Sequence, residues 1–146
     1  MADAPTAEEH RGTGRRRLAS GPGLLLVTVY AIITVGALSR SLYQLTTRLD
    51  QAPLAYSLSA VAAVVYVLIT AALVRGGENA RRLALGACVA ELAGVLTVGT
   101  WTVLDPSAFP DTTVWSGYGM GYLFIPVVLP VTGLLWLRGS RQGRRP

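Results

Sequence analysis

Four stretches of this chain carry almost no charge, and their lengths limit what it can fold into. Residues 18–39, 51–74 and 112–137 contain no charged residue, and 83–104 contains Glu91 alone. The stretches are 22, 24, 26 and 22 residues long. An α-helix rises about 1.5 Å per residue, so about 20 residues cross a bilayer core about 30 Å thick. Each stretch therefore reads as a transmembrane helix. The expected fold is an all-α, four-helix transmembrane bundle over 18–138, with helices near 18–42, 53–74, 83–104 and 115–137. Residues 1–17 and 139–146 lack apolar periodicity and read as mobile basic tails. Only 14% of the chain is charged and 51% is hydrophobic, whereas soluble domains carry about 25% charged residues. That balance excludes a disordered chain, a secreted disulfide scaffold and an ordinary soluble enzyme.

The net charge of +5 is placed in a way that predicts orientation. All 13 basic residues are arginine, and 11 fall in three groups, at 11–17, 75–82 and 138–145. These groups precede the first span, join the second to the third and follow the fourth. The other joints hold Arg40 and Arg48 against Asp50, Asp105 and Asp111. Arginine in short loops resists translocation, so both termini are expected in the cytoplasm (N-in/C-in) of a multi-pass plasma (inner) membrane protein. The same arginines suit the bilayer's anionic lipid headgroups. Nucleic acid is not an expected partner, because no aromatics interleave with the basic groups. The apolar stretch after Arg15–Arg17 is longer than a signal-peptide core and reads as an uncleaved helix.

The chemistry-bearing residues are few. His10, the single histidine, lies in the predicted tail, so no His/Cys cluster has metal-ligand spacing; no metal or other cofactor is expected. Cys88 is the single cysteine, which leaves no intramolecular disulfide, and it reads as a small packing residue. There is no Ser/His/acid set, and Gly117-x-Gly119-x-Gly121 follows no strand. A non-enzymatic role is expected. Helices in lipid associate through small residues, and three strips fit: Gly86, Ala90 and Gly94; Ala55, Ser59 and Ala63; Gly117 and Gly121. Packing within the chain is preferred for them over a homodimer or another membrane-protein partner. Pro126 and Pro130 lie one turn apart and predict a kink in the fourth helix, with the carbonyls of Tyr122 and Pro126 freed.

Two groups of polar residues stand out. Glu91 is a carboxyl inside a span, costly when charged and a functional candidate for that reason. Counted inward from Arg82, it lies about 13 Å deep, and Tyr66, counted back from Arg75, reaches the same level. A Tyr66–Glu91 hydrogen bond is the expected intramembrane polar site. The second group gathers at the predicted outer face. Arg40, Ser41, Tyr43 and Gln44 end the first helix, and Tyr56 begins the second. Trp101, Asp105, Phe109, Asp111, Trp115, Tyr118 and Tyr122 flank the last joint. Tyr118 and Tyr122 are expected on one helical face, Arg40 against an acidic partner, Trp101 and Trp115 at the outer interface and Trp136 at the inner one.

Several of these segments carry a resemblance. Arg40-Ser41-x-Tyr43-Gln44, Leu58-Ser59-Ala60 with Tyr66, and Phe109-Pro110-Asp111-x-Thr113-Val114-Trp115-Ser116 are its first parts. Gly119-x-Gly121-Tyr122 and Pro126-x3-Pro130-x2-Gly133-Leu134-x-Trp136-Leu137 complete it. Over about residues 20–138 the chain resembles a group of small actinobacterial integral membrane proteins without an assigned activity. That resemblance implies a four-helix plasma-membrane protein and no substrate. The expected function is a structural or accessory membrane component acting through helix packing. The alternatives are a small proton-coupled transporter with Glu91 as carrier, and an outer-face lipid or small-ligand sensor.

Overall fold

The computed structural model describes residues 21–142, and among the described residues all regular structure is helical. Helix α1 spans Pro22–Thr47, α2 spans Pro53–Arg75, α3 spans Glu78–Leu104 and α4 spans Ile125–Gln142. A single 3-10 turn, Pro106–Ala108, and an irregular helical segment, Ser116–Tyr122, lie between α3 and α4. The first three helices, at 26, 23 and 27 residues, are long and apolar enough to cross a membrane. Residues 1–20, with His10, their arginines and the expected start of the first helix at 18, and residues 143–146 lie outside the described residues.

Helix ends follow local chemistry. Both α1 and α2 open on a proline, whose missing N–H belongs to the donors that a first turn leaves unbonded. The sequence reading places a basic loop up to Arg82, yet α3 already starts at Glu78. Gly76 and Gly77, at φ 67° and 91°, make the whole turn. Glu78 then sits in the first turn of α3, where the helix dipole favours an acid, and it pairs with Arg81 at 3.1 Å and Arg82 at 3.2 Å. So short a link holds α2 and α3 side by side and antiparallel. Around the bundle α1 packs on α2, α2 on α3, and α3 on α4, while α1 and α4 meet only briefly.

Small residues set the spacing, though not always where expected. Ala55, Ser59 and Ala63 on α2 are all buried. The α3 strip divides instead. Gly94 lies under the Trp115 indole, and a Cβ there would come within 2.7 Å of Trp115 Cη2. Gly86 and Ala90 point outward and are exposed, and a Cβ on Gly86 would meet nothing within 4 Å. They are not used inside the bundle, because α3 turns its Ala84–Ala87–Cys88–Glu91–Val95 face inward.

The fourth apolar stretch departs furthest from expectation. It is not one helix over 115–137: Ser116–Tyr122 meets α4 at 95°, and α4 continues past Leu137 to Gln142, into the stretch expected as a tail. Gly117, Tyr118, Gly119, Leu123 and Phe124 all have left-handed φ, so Gly117 and Gly121 form no helical strip. The break falls ahead of Pro126, which occupies the second position of α4 and needs no N–H there. It starts a helix where a kink was expected, and Pro130 alone lies inside the helix. Irregular backbone in an apolar setting needs partners, and hydroxyls supply them. Thr113 N donates to Ser116 Oγ at 2.8 Å, Trp115 N to Thr113 Oγ1 at 3.0 Å, and Gly117 N to Thr102 Oγ1 at 2.9 Å.

Candidate functional site

Helix α1 presents one inward stripe, Gly23, Leu26, Tyr30, Thr34, Ala37, Ser41 and Gln44, at the 3–4 residue spacing of a helix face. Tyr30 on this stripe, Tyr66 on α2 and Glu91 on α3 are all 0% exposed, so their polar atoms must find partners within the chain. Tyr30 OH donates to Glu91 Oε2 at 3.3 Å and lies 3.8 Å from Cys88 Sγ. Its ring stands 6.4 Å from that of Tyr66, tilted by 53°. On α4, Gly133 lets the backbone come close, since a Cβ there would lie 3.2 Å from Cys88 Sγ. One turn above, Thr34 Oγ1 and Thr70 Oγ1 are 2.9 Å apart and tie α1 to α2.

The predicted Tyr66–Glu91 pair is brought together, with a difference. Tyr66 OH interacts with both the Glu91 carboxyl and Trp115, yet it completes no hydrogen bond of good geometry. The bonded partner of Glu91 is Tyr30. Three buried atoms therefore remain unpaired next to one another: Glu91 Oε1, Tyr66 OH and Trp115 Nε1. Their chemistry is complementary. An indole N–H only donates, a phenol both accepts and donates, and a carboxylate oxygen accepts. The order Trp115, Tyr66, Glu91 is thus a donor-to-acceptor series ending on the carboxyl that Tyr30 holds from the other side. Trp115, expected at an interface, is only 4% exposed, because the broken segment folds it inward onto Gly94.

The second predicted group is assembled in part. Arg40 Nη1 bonds Tyr122 OH, its Nη2 donates to the Thr112 carbonyl at 3.2 Å, and its guanidinium lies 5.7 Å from the Tyr122 ring centre. Neutral oxygens, not an acid, are its direct partners. Asp111 is committed elsewhere: its Oδ2 accepts from Tyr56 OH at 2.8 Å and its Oδ1 from Thr112 N at 2.7 Å. The Tyr56 bond is the largest effect and holds Asp111 below the usual carboxylate range; burial opposes it, and that N–H and the charges of Arg40 and Arg48 add smaller lowering effects. A cleft of about 580 Å³ opens here, lined among others by Arg40, Thr102, Phe109, Asp111, Met120 and Tyr122.

The remaining members scatter. Tyr118 and Tyr122 share no face, because left-handed backbone at 117–119 turns Tyr118 onto Gly99 and bonds its hydroxyl to Thr100 Oγ1 at 2.9 Å. Gln44 and Ser41 are buried on the inward stripe, since α1 runs on to Thr47. Tyr43 is exposed beside Arg48, and Asp105 accepts from Ser107 Oγ. Trp101 stays exposed, edge-on to Phe109 at 5.1 Å.

The sequence reading missed Tyr30. Its signal was the α1 stripe itself, where Tyr30, Thr34, Ser41 and Gln44 recur at helical spacing on one face. No protein-family model, curated protein or solved structure matched the chain.

Proposed function

We propose that this chain is a small multi-pass protein of the plasma membrane, with both termini cytoplasmic, acting as a non-enzymatic structural or accessory component. The observation that carries this reading is the enclosed polar centre. Glu91 accepts from Tyr30 across the bundle, with Tyr66 beside it and Trp115 beside Tyr66. α1, α2 and α3 thus converge on one carboxyl, and Trp115 joins them through Tyr66 and Gly94. An acid used in this way staples helices together and makes a rigid body with a fixed exterior. The exterior of α3, where Gly86 and Ala90 are exposed, lets the backbone of a second copy or another membrane protein come close. Arg75, Arg81, Arg82 and Arg138 belong to the end of the bundle where Arg81 Nη1 bonds the Leu137 carbonyl at 2.9 Å. That end is assigned to the cytoplasm and its anionic headgroups.

The test is purification of the full chain from its native membrane in a mild detergent. A second copy or a stoichiometric membrane protein accompanies the wild type and is lost from Gly86→Leu. A wild-type chain that emerges alone and monomeric overturns the accessory role. Orientation is read separately in a Cys88→Ala background: Asn79→Cys on intact cells resists a membrane-impermeant maleimide, and labelling from outside reverses the topology.

A second reading, proton-coupled transport with Glu91 as carrier and Tyr66 as its partner, is favoured by the unpaired series Trp115 Nε1, Tyr66 OH and Glu91 Oε1. Glu91→Gln separates the two. The neutral isostere keeps a staple and its partner, and it abolishes any uptake driven by a pH gradient.

A further inference from the structure

The geometry points to a binding site for an anionic phospholipid, with its headgroup at Arg40 in the cleft and one acyl chain in a separate apolar crevice on the far side of Tyr122. Nothing in the polar centre requires this site, and it does not depend on the accessory reading.

The crevice, of about 260 Å³, lies between α1 and α4 and is lined by Ile33, Gly36, Ala37, Ile125 and Pro126, with Tyr66 at one wall. It exists because α1 and α4 meet only briefly and because the break before Pro126 pulls the segment 114–124 away from α4. Tyr122 lines both this crevice and the cleft of about 580 Å³. One ring therefore stands between a cleft that carries Arg40, Asp111 and several hydroxyls on otherwise apolar walls and a crevice with no charged group, and Arg40 holds that ring by its hydroxyl.

The cleft offers a cation beside apolar walls and the crevice apolar walls with no charge, which suits the headgroup end and the chain end of an amphiphile. Among the described residues Arg40 forms no ion pair. Its bonds to a phenol and a carbonyl occupy part of the guanidinium fork and leave its charge unneutralised by direct contact. Asp111 also lines the cleft and keeps its charge there, but its oxygens accept from Tyr56 and Thr112 N and neither bonds Arg40, which leaves the guanidinium open to a second anion. A phosphate oxygen is the acceptor that the free edge of an arginine fork fits. The crevice walls are aliphatic apart from the tyrosines, so the chain they accommodate is a hydrocarbon one. A soluble anion would use the cleft and leave the crevice without a role.

Native mass spectrometry of the full chain in mild detergent tests this with phosphatidylglycerol, phosphatidylcholine of matched chains, and free glycerol phosphate. Phosphatidylglycerol is expected to bind at least fivefold more tightly than phosphatidylcholine, and glycerol phosphate not to compete at equal concentration. Arg40→Gln removes the headgroup preference. Gly36→Leu, which grows into open space because a Cβ there meets nothing within 4 Å, fills the crevice and weakens phosphatidylglycerol at least fivefold. Equal binding of the two lipids by the wild type overturns the proposal without any variant. Effective competition by glycerol phosphate shows a soluble-anion site and overturns it too. Unchanged lipid binding by Gly36→Leu, with the helical circular dichroism intact, removes the crevice from the site and the straddling arrangement with it.

Discussion

Two Gly→Ala substitutions in α3 should differ in their effect on stability, although the chemical change is the same. At Gly94 the new Cβ would lie 2.7 Å from Trp115 Cη2 and 2.9 Å from two more atoms of the same ring. The indole is buried and rigid, so either it or the helix must shift, and overpacking of this kind costs about 1–3 kcal/mol. At Gly86 the Cβ meets nothing within 4 Å. Alanine is favoured over glycine in a helix by about 1 kcal/mol at either position, a gain that shrinks equally for both where the unfolded state stays helical. Gly94→Ala should therefore be less stable than Gly86→Ala by about 1–3 kcal/mol. Unfolding in mixed micelles with increasing SDS, followed by circular dichroism, measures the difference. With Trp101 and Trp136 replaced by Phe, Trp115 is the one remaining indole, and its emission should shift in Gly94→Ala alone. Equal stabilities, or an unmoved emission spectrum, would mean that Trp115 does not sit on Gly94 and that the inward fold of the broken segment is wrong.

The other predictions concern hydroxyls. Tyr30→Phe removes the donor to Glu91 Oε2 and leaves a buried acceptor without its partner, for a loss of about 1–3 kcal/mol. Tyr66→Phe, whose hydroxyl completes no hydrogen bond, should cost less in the same SDS titration, and the reverse order would sink the assignment of Tyr30 as the staple. At the cleft, Asp111 titrates below the ordinary carboxylate range of about 3.9, chiefly through Tyr56. A lowered folded value stabilises the protein above the unfolded pKa, and this contribution is lost as pH falls through the folded one. Tyr56→Phe should move the Asp111 titration up toward its ordinary value, read by carboxyl carbon NMR, and shrink the acid-sensitive part of stability. An unmoved titration would refute the Tyr56–Asp111 bond.

Helices α1 to α3 were legible because uncharged length, proline at a first turn and glycine at a turn are local signals. The depth match of Tyr66 with Glu91 was legible too, as it needs only the helical rise. The partner of Glu91 was not. Depth arithmetic ranks residues along the membrane normal, whereas choosing Tyr30 requires the azimuth of each helix, and helices that are apolar nearly all round announce it weakly. The fourth stretch misled for a related reason. Its composition suits a span of 26 residues, and nothing local distinguishes Pro126 as a helix start from Pro126 as a kink. The hydroxyls of Thr113 and Ser116 meet nearby backbone donors locally, and the tertiary contribution comes from Thr102 of α3, which accepts from Gly117 N. The shared face of Tyr118 and Tyr122 was lost because it assumed a continuous helix, and Trp115 is buried against Gly94 where an exposed interfacial indole was expected.

The break itself is explained by what it places. Left-handed backbone at Tyr118, Leu123 and Phe124 costs roughly 1–2 kcal/mol at each residue, so the segment persists only if its side chains return more than that. In a continuous helix Trp115 and Tyr122 would stand about two turns apart on a single face and could reach only one neighbour between them. Folded as it is, the segment sends Trp115 onto Gly94 of α3, beside Tyr66, and sends Tyr122 to Arg40 of α1. One short stretch thereby bridges α3 to α1 across the side of the bundle that α1 and α4 leave open. The seating of Trp115 beside Tyr66 and the wall between cleft and crevice are consequences of the same bend. A change that restores a straight helix through 117–124 should therefore disturb the Glu91 surroundings and the Arg40 cleft together, never one alone.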